Sequence, residues 1–245
     1  MPPKYLRYFV ASNVDGKELT DEKIRDFKRV VLAQVAIIFS LFLLAVFETM
    51  DFEWRIEIAE SIFFATLGVY CFLLWDMLRN YTSSRKVIIV NFIFIMGVFL
   101  FGVLGVNPFY PMAPTTPYRI FLALVQVCLM AVEISVIYYT ILEFFKKDLG
   151  LPIKLWGAAC IYLMIGLAFG SIYEILCIGQ MDCLGPDIPL RTIALMKRIG
   201  FSFMVLSGMG FPYPNVSELM YAAGTVEALW GQIFIVLIVG RLLVK

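Results

Sequence analysis

Six stretches of this chain are apolar over lengths that reach or approach a bilayer crossing: residues 29–47, 58–78, 87–105, 118–145, 153–178 and 218–243. A helix needs about 20 consecutive apolar residues to match the hydrocarbon thickness. The chain of 245 residues is 61% hydrophobic and 16% charged, whereas soluble domains are about half apolar and a quarter charged. The excess arrives in long runs, so it does not belong to one large soluble core. The expectation is an all-α, multi-pass membrane protein with six transmembrane helices.

Several function classes drop out at once. A net charge of +1 without a basic block gives no footprint for nucleic acid. The first 29 residues are polar and charged, which is unlike a cleavable signal peptide. Histidine is absent, removing the usual general base and the commonest metal ligand. No nucleophile–base pair or metal cluster stands out, so the expectation is a protein that is not an enzyme and carries no cofactor or metal. Of the five cysteines, Cys71, Cys128 and Cys160 lie in apolar runs and read as small packing residues. Cys177 and Cys183 bracket a polar loop, where a disulfide is one reading and two free thiols the other.

Basic residues orient the chain. With both termini in the cytoplasm, all but Arg55, Arg119, Arg191, Lys197 and Arg198 of the 20 Lys and Arg residues fall inside. Residues 1–28 then form a cytoplasmic segment, including a surface helix from 21-DEKIRDFKR-29 that starts near Thr20 and runs into the first span. Residues 29–147 form a four-helix peripheral domain and residues 148–245 a second unit. The outer loops 48–60 and 106–117 are acidic and proline-rich, respectively.

The connection 179–217 is different. Its first half is polar, but 193-IALMKRIGFSFMVL-206 is apolar again and too short to cross. It suits a helix that dips in and stops, followed by the Ser/Gly-rich stretch 207-SGMGFPYP-214. Irregular backbone at membrane depth is tolerated only where protein buries it or water lines it, so this pattern points to a re-entrant pore loop.

These residues resemble the pore module of the tetrameric potassium-channel superfamily, especially its small prokaryotic members. The stretch 162-YLMIGLAFGSIY-173 is similar to the outer helix, 201-FSFMVLSGMGF-211 to the end of a pore helix with a filter, and 227-EALWGQIFIVLIVGRLL-243 to the inner helix. The likeness covers about the last 95 residues. It implies a homotetramer in a prokaryotic plasma membrane, with lipids and permeant monovalent ions as its other partners.

Aligned without gaps, the family's Thr-Thr-Val-Gly-Tyr-Gly-Asp falls on Ser207, Gly208, Met209, Gly210, Phe211, Pro212 and Tyr213. A potassium filter coordinates ions with backbone carbonyls and needs backbone shapes that glycine permits. Gly208 and Gly210 can supply these. Pro212 fixes its own φ and biases Phe211 to extended geometry, so the outer carbonyl rings are expected to be displaced. Tyr213 stands where the family has aspartate. Around the mouth, Lys197 and Arg198 are opposed by Glu174, Asp182, Asp187 and Glu218. A basic ring would favour anions and an acidic ring cations. The fourth span lacks the arginine ladder of voltage-gated relatives, which leaves little charge for a field to move.

Two acids lie within spans, Glu133 and Glu227. Ionisable groups at this depth are costly and point to function; buried packing carboxyls are the plainer alternative. Asp76, near a helix end, reads as snorkelling. Gly224, Gly231 and Gly240 allow either a bend or close packing of the last helix. Ser217 or Asn215 is the expected cap of that helix, in preference to a glycosylated 215-NVS-217. No ligand-binding domain is expected after Lys245.

The functional expectation is passive, weakly selective ion conduction with cations favoured, through a loop from Ser207 to Phe211. The alternatives are a non-conducting, channel-like scaffold or sensor, and an anion-permeable pore.

Overall fold

The computed structural model describes residues 16–82, 84–105, 115–144, 150–179, 192–211, 213 and 216–243. All regular structure among them is helical: α1 (Gly16–Thr49), α2 (Arg55–Tyr81), α3 (Arg85–Gly105), α4 (Thr116–Phe144), α5 (Leu151–Gly179), α6 (Thr192–Leu206) and α7 (Glu218–Leu243). Five of these, α1, α2, α4, α5 and α7, are long and apolar enough to cross a membrane. An integral, all-α membrane protein is the architecture they make.

Helix α1 is continuous over 34 residues, about 50 Å at 1.5 Å per residue. The expected surface helix and first span are therefore one rod, which starts at Gly16 rather than near Thr20. Its polar first third is helical because it is packed. Asn80 of α2 donates to Asp26 at 2.6 Å, and the Phe27 ring packs tilted against Tyr81 with centroids 5.5 Å apart. The hairpin to α2 is tighter than the loop expected at 48–60, because α2 begins at Arg55. The Arg55 guanidinium donates to the Met50 carbonyl and closes the turn.

Starts and stops follow local chemistry. Proline stands in the first turns of α4 and α5, at Pro117 and Pro152, where a missing N–H costs nothing. Helix α2 ends at Thr82, which leaves helical geometry at φ −126° and ψ 137°. Ser217 caps α7: its hydroxyl accepts the Met220 N–H at 3.4 Å and its carbonyl the Tyr221 N–H at 2.9 Å. That fulfils one of the two caps expected from sequence.

The core is shared between the segments expected as separate units. One hydrophobic cluster joins Phe27 and Ile37 of α1, Phe63 and Leu74 of α2, Val132 of α4, Ile161 and Met164 of α5, and Ile199 of α6. A cross-helix bond reinforces it, from the Gln34 side-chain amide of α1 to the Cys160 carbonyl of α5 at 3.2 Å. Helix α5 is the central post, touching α1, α4, α6 and α7. Cys71, Cys128 and Cys160 are free thiols. Cys177 is disulfide-bonded; Cys183 lies outside the described residues.

Candidate functional site

Helix α6 is 15 residues long, about 22 Å, and both of its ends are fastened by other helices. At its N-terminus, Glu60 of α2 is buried and accepts the Ile193 N–H at 2.9 Å. A carboxylate there satisfies an orphan amide and meets the positive end of the helix dipole. Sequence reasoning assigned Glu60 to a loop and missed this role. The available signal was an acid set directly against the start of an apolar run.

Along its length α6 lies in a seat cut by glycines. A Cβ on Gly166 of α5 would come within 2.6 Å of Phe203, and one on Gly170 within 2.6 Å of the Ile199 side chain and 3.1 Å of its Cα. Gly166 and Gly170 are spaced four apart and share one helix face, so they let α6 approach closely. From the other side, a Cβ on Gly231 of α7 would meet the Leu206 carbonyl at 2.8 Å. Close packing is thus the role of Gly231 and also of Gly224, whose Cβ would strike Phe211 at 2.6 Å. Gly240 has open space around it.

The C-terminus of α6 lies level with the middles of its neighbours. The Tyr162 hydroxyl, midway along α5, donates to the Leu206 carbonyl at 3.2 Å, and Gly231 is midway along α7. The chain then turns back. Ser207, Gly208, Met209 and Gly210 are exposed, with Met209 at 80%. Gly208 and Gly210 have φ of +78° and +91°, the left-handed geometry that only glycine adopts cheaply. Both filter-like glycines therefore hold the kind of backbone expected of them. Phe211 is not lining anything open: it stacks on Tyr221 at 4.7 Å and lies 5.8 Å from Phe201. Tyr213 joins the same aromatic group, 6.1 Å from Phe201. Burial pushes the Tyr213 phenol above its ordinary range, and the Glu48 charge adds to that. Pro212 lies outside the described residues, as do Asp182, Asp187 and Asn215.

The two cations expected at a mouth are both paired with acids of neighbouring helices. Arg198 is buried in an ion pair with Glu174 of α5. Lys197 reaches Glu48 of α1 at 3.7 Å across a partly exposed gap. Glu218 sits in the exposed first turn of α7, where an acid suits the dipole.

The two intramembrane acids have separate environments. Glu133 of α4 is buried among the peripheral helices. It accepts a 3.4 Å bond from the Tyr70 hydroxyl, and its second oxygen has no hydrogen-bond partner. Glu227 is at the α5–α6–α7 junction, bonded to Tyr173 of α5 and Ser202 of α6, and Ser202 also reaches the Gly166 carbonyl at 2.6 Å. Tyr173 and Ser202 had no distinguishing pattern in the sequence; only packing brings them to Glu227. The described residues hold no cluster of His, Cys, Asp and Glu suited to a metal.

No protein-family profile, curated protein sequence or solved structure shows significant similarity to this chain.

Proposed function

We propose that the chain is one subunit of a pore-loop membrane assembly that conducts ions passively. In this reading there are six spans, α1 to α5 and α7, with both termini cytoplasmic. Helix α6 is re-entrant, and Ser207 to Phe211 form the loop at the pathway. The observation that carries it is the exposure of residues 207–210, which are not helical, at the level of the middles of α5 and α7. Lipid-facing irregular backbone does not occur in hydrocarbon; it survives only against protein or water. Further copies and a water-filled axis supply both. Helix α7 supports this, since Val226, Leu229, Trp230, Ile233, Val236 and Leu237 stand uncovered beside the loop. Fourfold symmetry follows the potassium-channel resemblance of 162–243.

Cations are the favoured permeants, for two reasons. The C-terminal end of α6 directs partial negative charge at the turn. Arg198 and Lys197 are both committed to acids, at Glu174 and Glu48, so neither supplies a basic ring to favour anions. Two left-handed glycines fall short of a continuous carbonyl stack, which makes the pathway weakly selective. The competing reading is a channel-like scaffold that does not conduct. Tyr213 favours it, because it stands where the family has an acid and packs near Phe201 instead.

Purified protein in planar bilayers, with ions substituted on each side, tests the reading. Unitary current steps whose reversal potential follows the cation gradient are expected. Silence across varied lipid, pH and voltage, with the oligomer intact, supports the scaffold. A monomer or dimer in native mass measurements overturns the fourfold assembly.

A further inference from the structure

Ser202 makes two close oxygen–oxygen contacts, one of 2.6 Å to the Gly166 carbonyl and one to a Glu227 carboxyl oxygen. Oxygens this near need a hydrogen between them, since facing lone pairs repel. The serine hydroxyl has one hydrogen, and a carbonyl has none to give. The serine hydrogen therefore goes to Gly166, and the contact with Glu227 must be donated by the carboxyl itself. Tyr173 does not supply that hydrogen, because its own hydroxyl is spent on the other Glu227 oxygen.

The structure assigns to Glu227 a bound proton, and so makes the α5–α6–α7 junction a proton-binding site. The acid form donates to Ser202, Ser202 donates to Gly166, and Glu227 accepts from Tyr173, so each of these contacts has one donor and one acceptor. The site is sealed: Glu227, Ser202 and Tyr173 are all buried. Among the described residues, no cation pairs with Glu227, and the two on α6 are held by other acids. From α5 come Tyr173, Tyr162 and Glu174. Glu174 is committed to Arg198 of α6, and Lys197 of α6 to Glu48. On α7, Glu218 lies in the exposed first turn and Gln232 is exposed. Loss of the proton turns a donor into an acceptor. Ser202 must then give its hydrogen to Glu227 and release Gly166, which removes one of the side-chain ties between α6 and α5 and leaves those of Arg198 and Tyr162 in place. Proton loss thus loosens the seat of residues 207–210, whether or not that loop conducts.

Infrared difference spectra of the full chain in nanodiscs, wild type against Glu227→Gln, test the assignment at neutral pH. An acid carbonyl band should be lost in the variant, shift in D2O, and move to higher frequency in Ser202→Ala, which lacks its acceptor. Loss of carboxylate bands instead, or a band unmoved by Ser202→Ala, overturns it. Thermal melts against pH give a second reading. Glutamine reproduces the donor and acceptor pattern, so Glu227→Gln should melt within about 4 °C of wild type at neutral pH. The folded state holds a proton that the unfolded chain releases, so wild-type stability falls as pH rises. The variant should show less of that alkaline loss, and an equal loss in both proteins also overturns the assignment.

Discussion

Helices α5 and α7 look alike in sequence and are used in opposite ways. Both are long, apolar and interrupted by glycine, and both flank α6. Yet 67% of the most apolar stretch of α5 is buried within the chain, against 22% for α7. Hydropathy measures preference for leaving water, which lipid and protein satisfy equally. Burial between helices in a membrane is decided by how closely backbones can approach. Helix α5 carries small residues on more than one face: Gly157 receives the Phe27 ring, and Gly166 and Gly170 receive α6. Helix α7 uses Gly224 and Gly231 on one side only, and the described residues leave much of the remainder uncovered.

The largest expected effect falls on the α5 side. Arg198→Ala strands Glu174 as an uncompensated buried charge, at a cost of about 3–5 kcal/mol. Thermal melting in detergent should show a severe loss, and pairing it with Glu174→Met should restore much of it. A harmless Arg198→Ala would mean that α5 is not the post on which α6 is built.

Glycine substitutions sharpen the contrast directly. Gly170→Leu drives a side chain into the Ile199 backbone and should destabilise by about 1–3 kcal/mol. Gly240→Leu on α7 meets open space and should leave the melting temperature unchanged. Equal effects at the two positions would remove the distinction.

At the turn, Gly210→Ala forces a residue with a Cβ to φ +91°, at a cost of about 1–2 kcal/mol. The fold and oligomer should survive it, while any conductance in bilayers should change. An unaltered conductance would take the loop out of the pathway.

The smallest effect on the fold of the subunit, and the most telling for assembly, is on the uncovered face. Val236 of α7 and Leu32 of α1 are 70% and 65% exposed. Under the proposed assembly, Val236→Trp should lower the oligomer mass measured by native mass spectrometry, while Leu32→Trp should not. Parallel behaviour of the two would mean that α7, like α1, simply faces lipid.

Much of the site was legible as position rather than as contact. A short apolar segment ending in Ser207-Gly208-Met209-Gly210 announces a helix that stops and a backbone that turns, since both are local properties. The positive φ at both glycines bears that out. What Arg198 does was not legible, because 193–206 offers several faces and periodicity does not say which one meets α5. Folding selects Glu174, 24 residues earlier in the chain, from the acids set against it in the sequence. Glu227 was conspicuous as an acid in an apolar run, yet its partners were invisible: Ser202 and Tyr173 are ordinary residues in their own segments. That the start of α1 packs on the end of α2 was missed for a related reason, as only folding sets Asn80 and Tyr81 beside Asp26 and Phe27.

Sequence alone determined that this chain lives in a membrane as helices, and where the short helix before Ser207 stops. Those follow from run length, backbone hydrogen bonding and glycine, each a property of neighbouring residues. Tertiary structure decided which helix is the post, which charge is neutralised and which acid holds a proton. Those outcomes depend on close approach between segments far apart in the chain, which the solvation of individual residues does not specify.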